Sequence, residues 1–182
     1  MSAPRHRSNG DPVRIAVCGT NPRVVGELMS TAAARRSGVA PELSRIGGIT
    51  VARVAWSGPG GRPCLLRGLV EDDHPSALDL TLRESDAILF VMDVQPDQLR
   101  LGWDRLMAVG ESARREGFEL LDRPFGMQYH GSDRHPGFDA GQLDAWLGFP
   151  RDRVVCGVTP STQADHEGGV IDRLAEQVRT RA

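Results

Sequence analysis

The chain has 182 residues, 40% of them hydrophobic, and a formal net charge of -2. That size supports one globular domain with a full core, and the charge balance argues against a nucleic-acid or membrane surface. No apolar run approaches the roughly 18 residues of a membrane span, and the opening MSAPRHRSNGDP lacks an apolar signal-peptide core, so a cytoplasmic location is the expectation. All 22 basic residues are arginine, which removes any chemistry that needs a lysine ammonium.

Residues 1–12, rich in Arg, Ser, Gly and Pro, read as a flexible tail, and residues 13–182 as the domain. Val13 to Cys18 forms a short β-branched and apolar run that stops at Gly19, the pattern of a buried strand. Asn21-Pro22 follows, an N-cap residue and a proline at the favoured first helical position. Val25, Leu28, Met29 and Ala32 then recur at helical spacing along one face.

Ile49 to Trp56 and Cys64 to Val70 read as two strands joined through SGPGGRP, an antiparallel hairpin. Trp56 is placed at the hairpin end of an edge strand, where it suits a partner contact. A helix through Leu78 and Leu82 precedes AILFVMDV, which reads as the most completely buried strand. Leu99, Trp103, Leu106, Gly110 and Ala113 line a long helix, and PFGMQYH is the next strand. Asp139 and Gln142 suit a capping box for a helix with Leu143, Trp146 and Leu147 inside, ended by Gly148. Val154 to Val158 is the last strand, and Ile171, Leu174, Ala175 and Val178 mark a closing helix. The alternation predicts a three-layer, doubly wound α/β fold: a mostly parallel sheet of about six strands with one antiparallel edge strand. Cys18, Cys64 and Cys156 stand singly in strand-like runs and read as reduced core residues.

A strand and helix, then a hairpin, then helix and strand in alternation is an order that resembles the Ras-like small GTPases, with the bacterial MglA-type GTPases the nearest likeness. In that family a strand reading roughly QYNKxD carries guanine recognition, and PFGMQYHGSDRHP stands in its place here. The resemblance spans about residues 13–180 and implies the small-GTPase-like form of the P-loop fold.

The family's chemical motifs are degenerate. A P-loop, G-x-x-x-x-G-K-[ST], wraps phosphates with backbone N–H groups, meets their charge with lysine and holds magnesium with a hydroxyl. Counted from Gly19, those three positions hold Val24, Val25 and Gly26. Pro22 removes a donor and predicts an early helix start. Thr20, Asn21 and Arg23 complete the loop; a helix start beside Arg23 offers a small anion a seat, while a plain strand-to-helix connection explains the same residues. In the base motif His130 and Gly131 replace Asn and Lys, and Asp133 alone matches, equally as guanine contact or turn residue. Thr159 falls where the family's last base-contacting loop lies. Asp72, Asp73 and His74 follow the hairpin without the family's γ-phosphate glycine, and Asp73 is also a cap for the next helix. His130, Asp133, His135 and His74 all fall at carboxyl ends of strands, yet no metal-ligand spacing is present and no metal is expected.

The expectation is therefore a pseudo-GTPase with a vestigial pocket, no cofactor and a protein-interaction role. The alternative is a divergent GTPase that still binds GTP or GDP with magnesium weakly and hydrolyses slowly. Trp56, Asp72, Asp73 and His74 are the expected partner surface, and the resemblance implies a roadblock-type dimeric regulator as the partner.

Overall fold

The computed structural model describes residues 11–46, 49–70, 75–150, 152–159 and 169–181. Seven strands form one sheet in the order β2-β3-β4-β1-β5-β6-β7. They are β1 (Val13–Gly19), β2 (Glu42–Ile46), β3 (Ile49–Ser57), β4 (Pro63–Leu69), β5 (Ala87–Asp93), β6 (Phe125–His130) and β7 (Val154–Thr159). The helices are α1 (Pro22–Arg36), α2 (Pro75–Arg83), α3 (Leu99–Arg115), α4 (Ala140–Leu147) and α5 (Val170–Arg181). β3 runs antiparallel to both β2 and β4, and the other four pairings are parallel. The α/β class and the mostly parallel sheet match the expectation.

The seventh strand corrects it. β2 covers β3 from Ile49 to Arg53, so the hairpin strand is internal over that stretch and β2 is the edge. ELSRI carries no apolar alternation strong enough to announce a strand; its main-chain pairing with β3 makes it one.

Strand periodicity of two divides the core. Val13, Ile15 and Val17 of β1 face α1 and α5, whereas Ala16 and Cys18 face α2, α3 and α4. Every residue of β5 is buried, as a strand covered on both faces requires. The hairpin closes through Pro59–Gly61, with Gly60 and Gly61 at φ of 70° and 75°, conformations that a Cβ disfavours.

The helix starts and stops follow local chemistry. Asn21 caps α1 by accepting from the Val24 N–H at 3.1 Å, and Asp139 caps α4 through Gly141 and Gln142. Gly148 ends α4 with φ of 68°. Trp146, expected inside, is 62% exposed and packs against Trp103 with ring centroids 5.0 Å apart. It sits at the margin of the stripe formed by Leu143 and Leu147, so the short helix turns its ring outward. Cys18 and Cys64 are buried; Cys156 is half-buried, its thiol donating to Asp144 at 3.4 Å. Tyr129 donates to the same carboxylate, tying α4 to the sheet.

β1 lies between β4 and β5, and the chain leaves it first toward one side and later continues on the other. The carboxyl ends of β1 and β5 therefore flank the crevice where the connections diverge, the usual ligand position in open parallel sheets.

Candidate functional site

The crevice is floored by Gly19 at the end of β1 and Thr20 just after it, Asp93 at the end of β5, His130 at the end of β6 and the backbone of Thr159 in β7. The register sets Gly19 beside Val91, Asp93 beside His130 and His130 beside Thr159. Most of the expected pocket residues are thus brought to one end of the sheet by parallel pairing.

The loop after β1 contains two residues, Thr20 and Asn21, before α1 begins at Pro22. Val24, Val25 and Gly26 lie inside the helix. A helix start leaves its first N–H groups free to meet an anion, but few remain here. The Thr20 N–H donates to Val91 O at 2.9 Å, Pro22 has none, and the Val24 N–H is held by Asn21. Only Asn21 and Arg23 of the helix's first four positions keep a main-chain donor outside this cap.

Steric occupation follows from the same early start. A Cβ added at Gly19 would meet Val25 Cγ2 at 2.8 Å and Val24 Cγ2 at 3.1 Å. Both valines are 2% exposed and belong to the core on the α1 side. The volume beside the strand-end glycine is filled by apolar side chains. Thr20 is fully buried, and its Oγ1 accepts from the Asp93 N–H at 3.0 Å, so its hydroxyl serves to tie β1 to β5. A cavity of about 40 Å³ beside Gly19, lined by Cys18, Leu78, Arg105 and Val109 among others, is much smaller than the roughly 300–1,000 Å³ of small-molecule pockets. Burial pushes the Cys18 thiol up to about 12, so it faces that cavity as a neutral group.

Arg23 is engaged as well. Its Nε donates to Glu27 at 2.8 Å, and the other Glu27 oxygen lies 3.0 Å from His130 Nε2. Burial works to raise the Glu27 pKa, but the Arg23 hydrogen bond and the charges of Arg23 and His130 outweigh it, leaving the carboxyl below its ordinary range. His130 is 2% exposed, and its Nδ1 has no hydrogen-bond partner. An internal carboxylate therefore meets the arginine and the imidazole at the crevice. Asp93 adds a second, its Oδ1 accepting from the Gln95 N–H at 3.1 Å.

Asp133 sits in the exposed 3-10 turn Ser132–Arg134, beyond the left-handed Gly131, whose carbonyl accepts from Gln95 Nε2 at 2.9 Å. His135 packs its ring against Phe138 and takes no part with His130. Among the described residues no three His, Cys, Asp or Glu side chains are grouped for a metal ion.

On the opposite flank, Trp56 is half-buried beyond the last residue of β3 that β2 covers. Arg36 lies over its ring at 5.1 Å while pairing with Asp172 through two hydrogen bonds. Asp72, Asp73 and His74, the rest of the expected partner surface, lie outside the described residues, as does the side chain of Thr159.

Sequence reasoning did not single out Glu27, Asp93 or Gln95. Glu27 is four residues after Arg23, a spacing that signals a helical ion pair. Asp93 gives the clearest missed signal, a carboxylate closing a wholly apolar strand. No family model matches the chain, and no curated protein matches it significantly.

Proposed function

We propose that this protein is a pseudo-GTPase, a three-layer, doubly wound, small-GTPase-like domain that acts as a nucleotide-independent scaffold for a protein partner. The sheet order and chain path support the architecture, with β1 central and the antiparallel β3 next to β4 on one side. One observation carries the functional reading: the place of a phosphate cradle beside Gly19 is taken by the side chains of Val24 and Val25.

The charge arrangement supports the same reading. Stabilising a bound triphosphate requires fixed cations and donors, and magnesium where it bridges the phosphates. Here the arginine nearest the helix start is paired with Glu27, and Asp93 and Glu27 present two carboxylates. These residues do not fit a magnesium nucleotide: the lysine and hydroxyl positions hold Val25 and Gly26. The divergent GTPase remains the second reading, favoured by Asp133 alone, which is exposed in the position a base-reading carboxylate would take.

A surface that needs no γ-phosphate to order it presents one state to its partner. We assign that surface to Trp56 together with Asp72, Asp73 and His74, with a roadblock-type dimeric regulator as the partner class. Capture from native cytoplasm with GTP, GDP or no nucleotide should recover the same partner in equal amounts. Trp56→Ala, or Asp72→Ala with Asp73→Ala, should reduce recovery. A partner recovered with GTP alone would restore the switching reading.

A further inference from the structure

The side of α3 that turns away from the sheet carries apolar surface that the fold does not bury. Trp103 and Met107 follow each other at i and i+4, and the Trp146 ring of α4 leans on Trp103 with centroids 5.0 Å apart. Trp146 is 62% exposed and Met107 42%. Stacked indoles beside a methionine are the composition of an interface centre, where these residue types are enriched.

Gly110 adds an independent observation. It stands seven residues after Trp103, two turns along the same stripe. Glycine inside a helix weakens it, so its presence calls for a close neighbour. At Gly102 that neighbour is internal: a Cβ would meet Thr20 Oγ1 at 2.9 Å and Met92 Cγ at 3.3 Å. At Gly110 a Cβ would come within 4 Å of one described side chain only, Arg114, at 3.8 Å. No contact among the described residues needs Gly110 bare, and the missing side chain leaves a seat beside Met107 open from outside.

Charge specifies the occupant. Asp104 and Glu111 are exposed and lie seven residues, ~10.5 Å, apart on α3, one line of the helix next to Trp103, Met107 and Gly110. Neither makes a hydrogen bond or an ion pair with a described residue. Neighbouring cations are used elsewhere: Arg115 is held by Asp79, and Arg114 lies 3.7 Å from Glu119. Arg100, one turn before Asp104, is exposed and pairs with neither carboxylate. A second copy laying α3 on α3 would bring that one arginine to two carboxylates and leave a carboxylate of each chain buried without a partner, which is costly. A helix with two cations two turns apart answers both.

We propose that this face binds an amphipathic helix of a protein partner. Two arginine or lysine residues seven apart on that helix meet Asp104 and Glu111, and its apolar stripe covers Trp146, Trp103 and Met107 and enters the seat at Gly110. Trp56 packs on the α1 and α5 side of the sheet and Trp103 on the other, so this partner and the one assigned to Trp56 approach opposite faces.

The test titrates the intact protein with a synthetic amphipathic peptide that lacks tryptophan and carries leucines along one stripe and two lysines seven residues apart beside it. A reference peptide has glutamates in place of the lysines. The lysine peptide should move the tryptophan emission to shorter wavelength, saturably, and the glutamate peptide should not. Asp104→Lys with Glu111→Lys should weaken the lysine peptide by at least about tenfold and admit the glutamate peptide. Gly110→Gln should raise the melting temperature, since glutamine is the better helix former, and yet weaken the lysine peptide, a split that a purely structural glycine does not give. No saturable shift up to near-millimolar lysine peptide overturns the proposal, as does equal binding of the two peptides. An emission shift that grows with protein concentration alone gives the face to a second copy and overturns it as well.

Discussion

Val25 shows at the residue scale how one side chain decides the chemistry of the crevice. It is 2% exposed, and a Cβ at either Gly19 or Gly68 would approach it to 2.8 Å, so two glycines exist around its branches. Writing the P-loop residues back as Val24→Gly, Val25→Lys and Gly26→Thr removes two packed side chains and places an ammonium in their space. The triple variant should lose about 2–5 kcal/mol in chemical denaturation and gain no micromolar affinity for GTP. Recovered affinity would mean that the Pro22 helix start does not obstruct the cradle. Glu27 makes a second residue-level case. Its folded-state pKa is depressed below the ordinary 4.5, so its contribution to stability is present above the unfolded-state value and is lost as pH falls through the folded one. Glu27→Gln should therefore lower the melting temperature at neutral pH and flatten its decline in acid below about pH 4.5, read by thermal melts across pH. Arg23 and Glu27 could be paired from their i,i+4 spacing. His130 lies 103 residues from Glu27, and nothing local announces that contact.

Elements were legible where a local signal and the tertiary environment agree. Asn21-Pro22 announces the start of α1, and the structure places the cap and the first helical residue there. Asn21→Ala should cost about 1 kcal/mol in urea unfolding by freeing the Val24 N–H. A variant as stable as the wild type would show that the cap does not hold the helix start. β2 was illegible because Glu42–Ile46 owes its extended form to main-chain pairing with β3, a long-range condition absent from ELSRI itself. Trp146 was misplaced for a related reason. Its spacing from Leu143 admits an inner position, but an eight-residue helix that rests on Leu147 leaves its margin residue exposed.

The molecule as a whole keeps an open, mostly parallel sheet whose crevice is filled beside Gly19 by Val24 and Val25 and bridged at His130 by Glu27. The α/β class and the mostly parallel sheet could be inferred from burial patterning, since β5 is apolar throughout and β1 alternates between two cores, whereas the strand order comes from the fold. The closure of the crevice could be inferred only in part. The missing lysine and hydroxyl are visible in the sequence, whereas the packing of Val24 and Val25 against Gly19 and the Glu27 bridge to His130 arise from the fold. The most direct measurement is isothermal titration calorimetry of the wild-type protein with GTP and with GDP in the presence of magnesium. The account predicts no saturable heat with either nucleotide. One-to-one, magnesium-dependent binding of GTP that ATP does not compete away would contradict it.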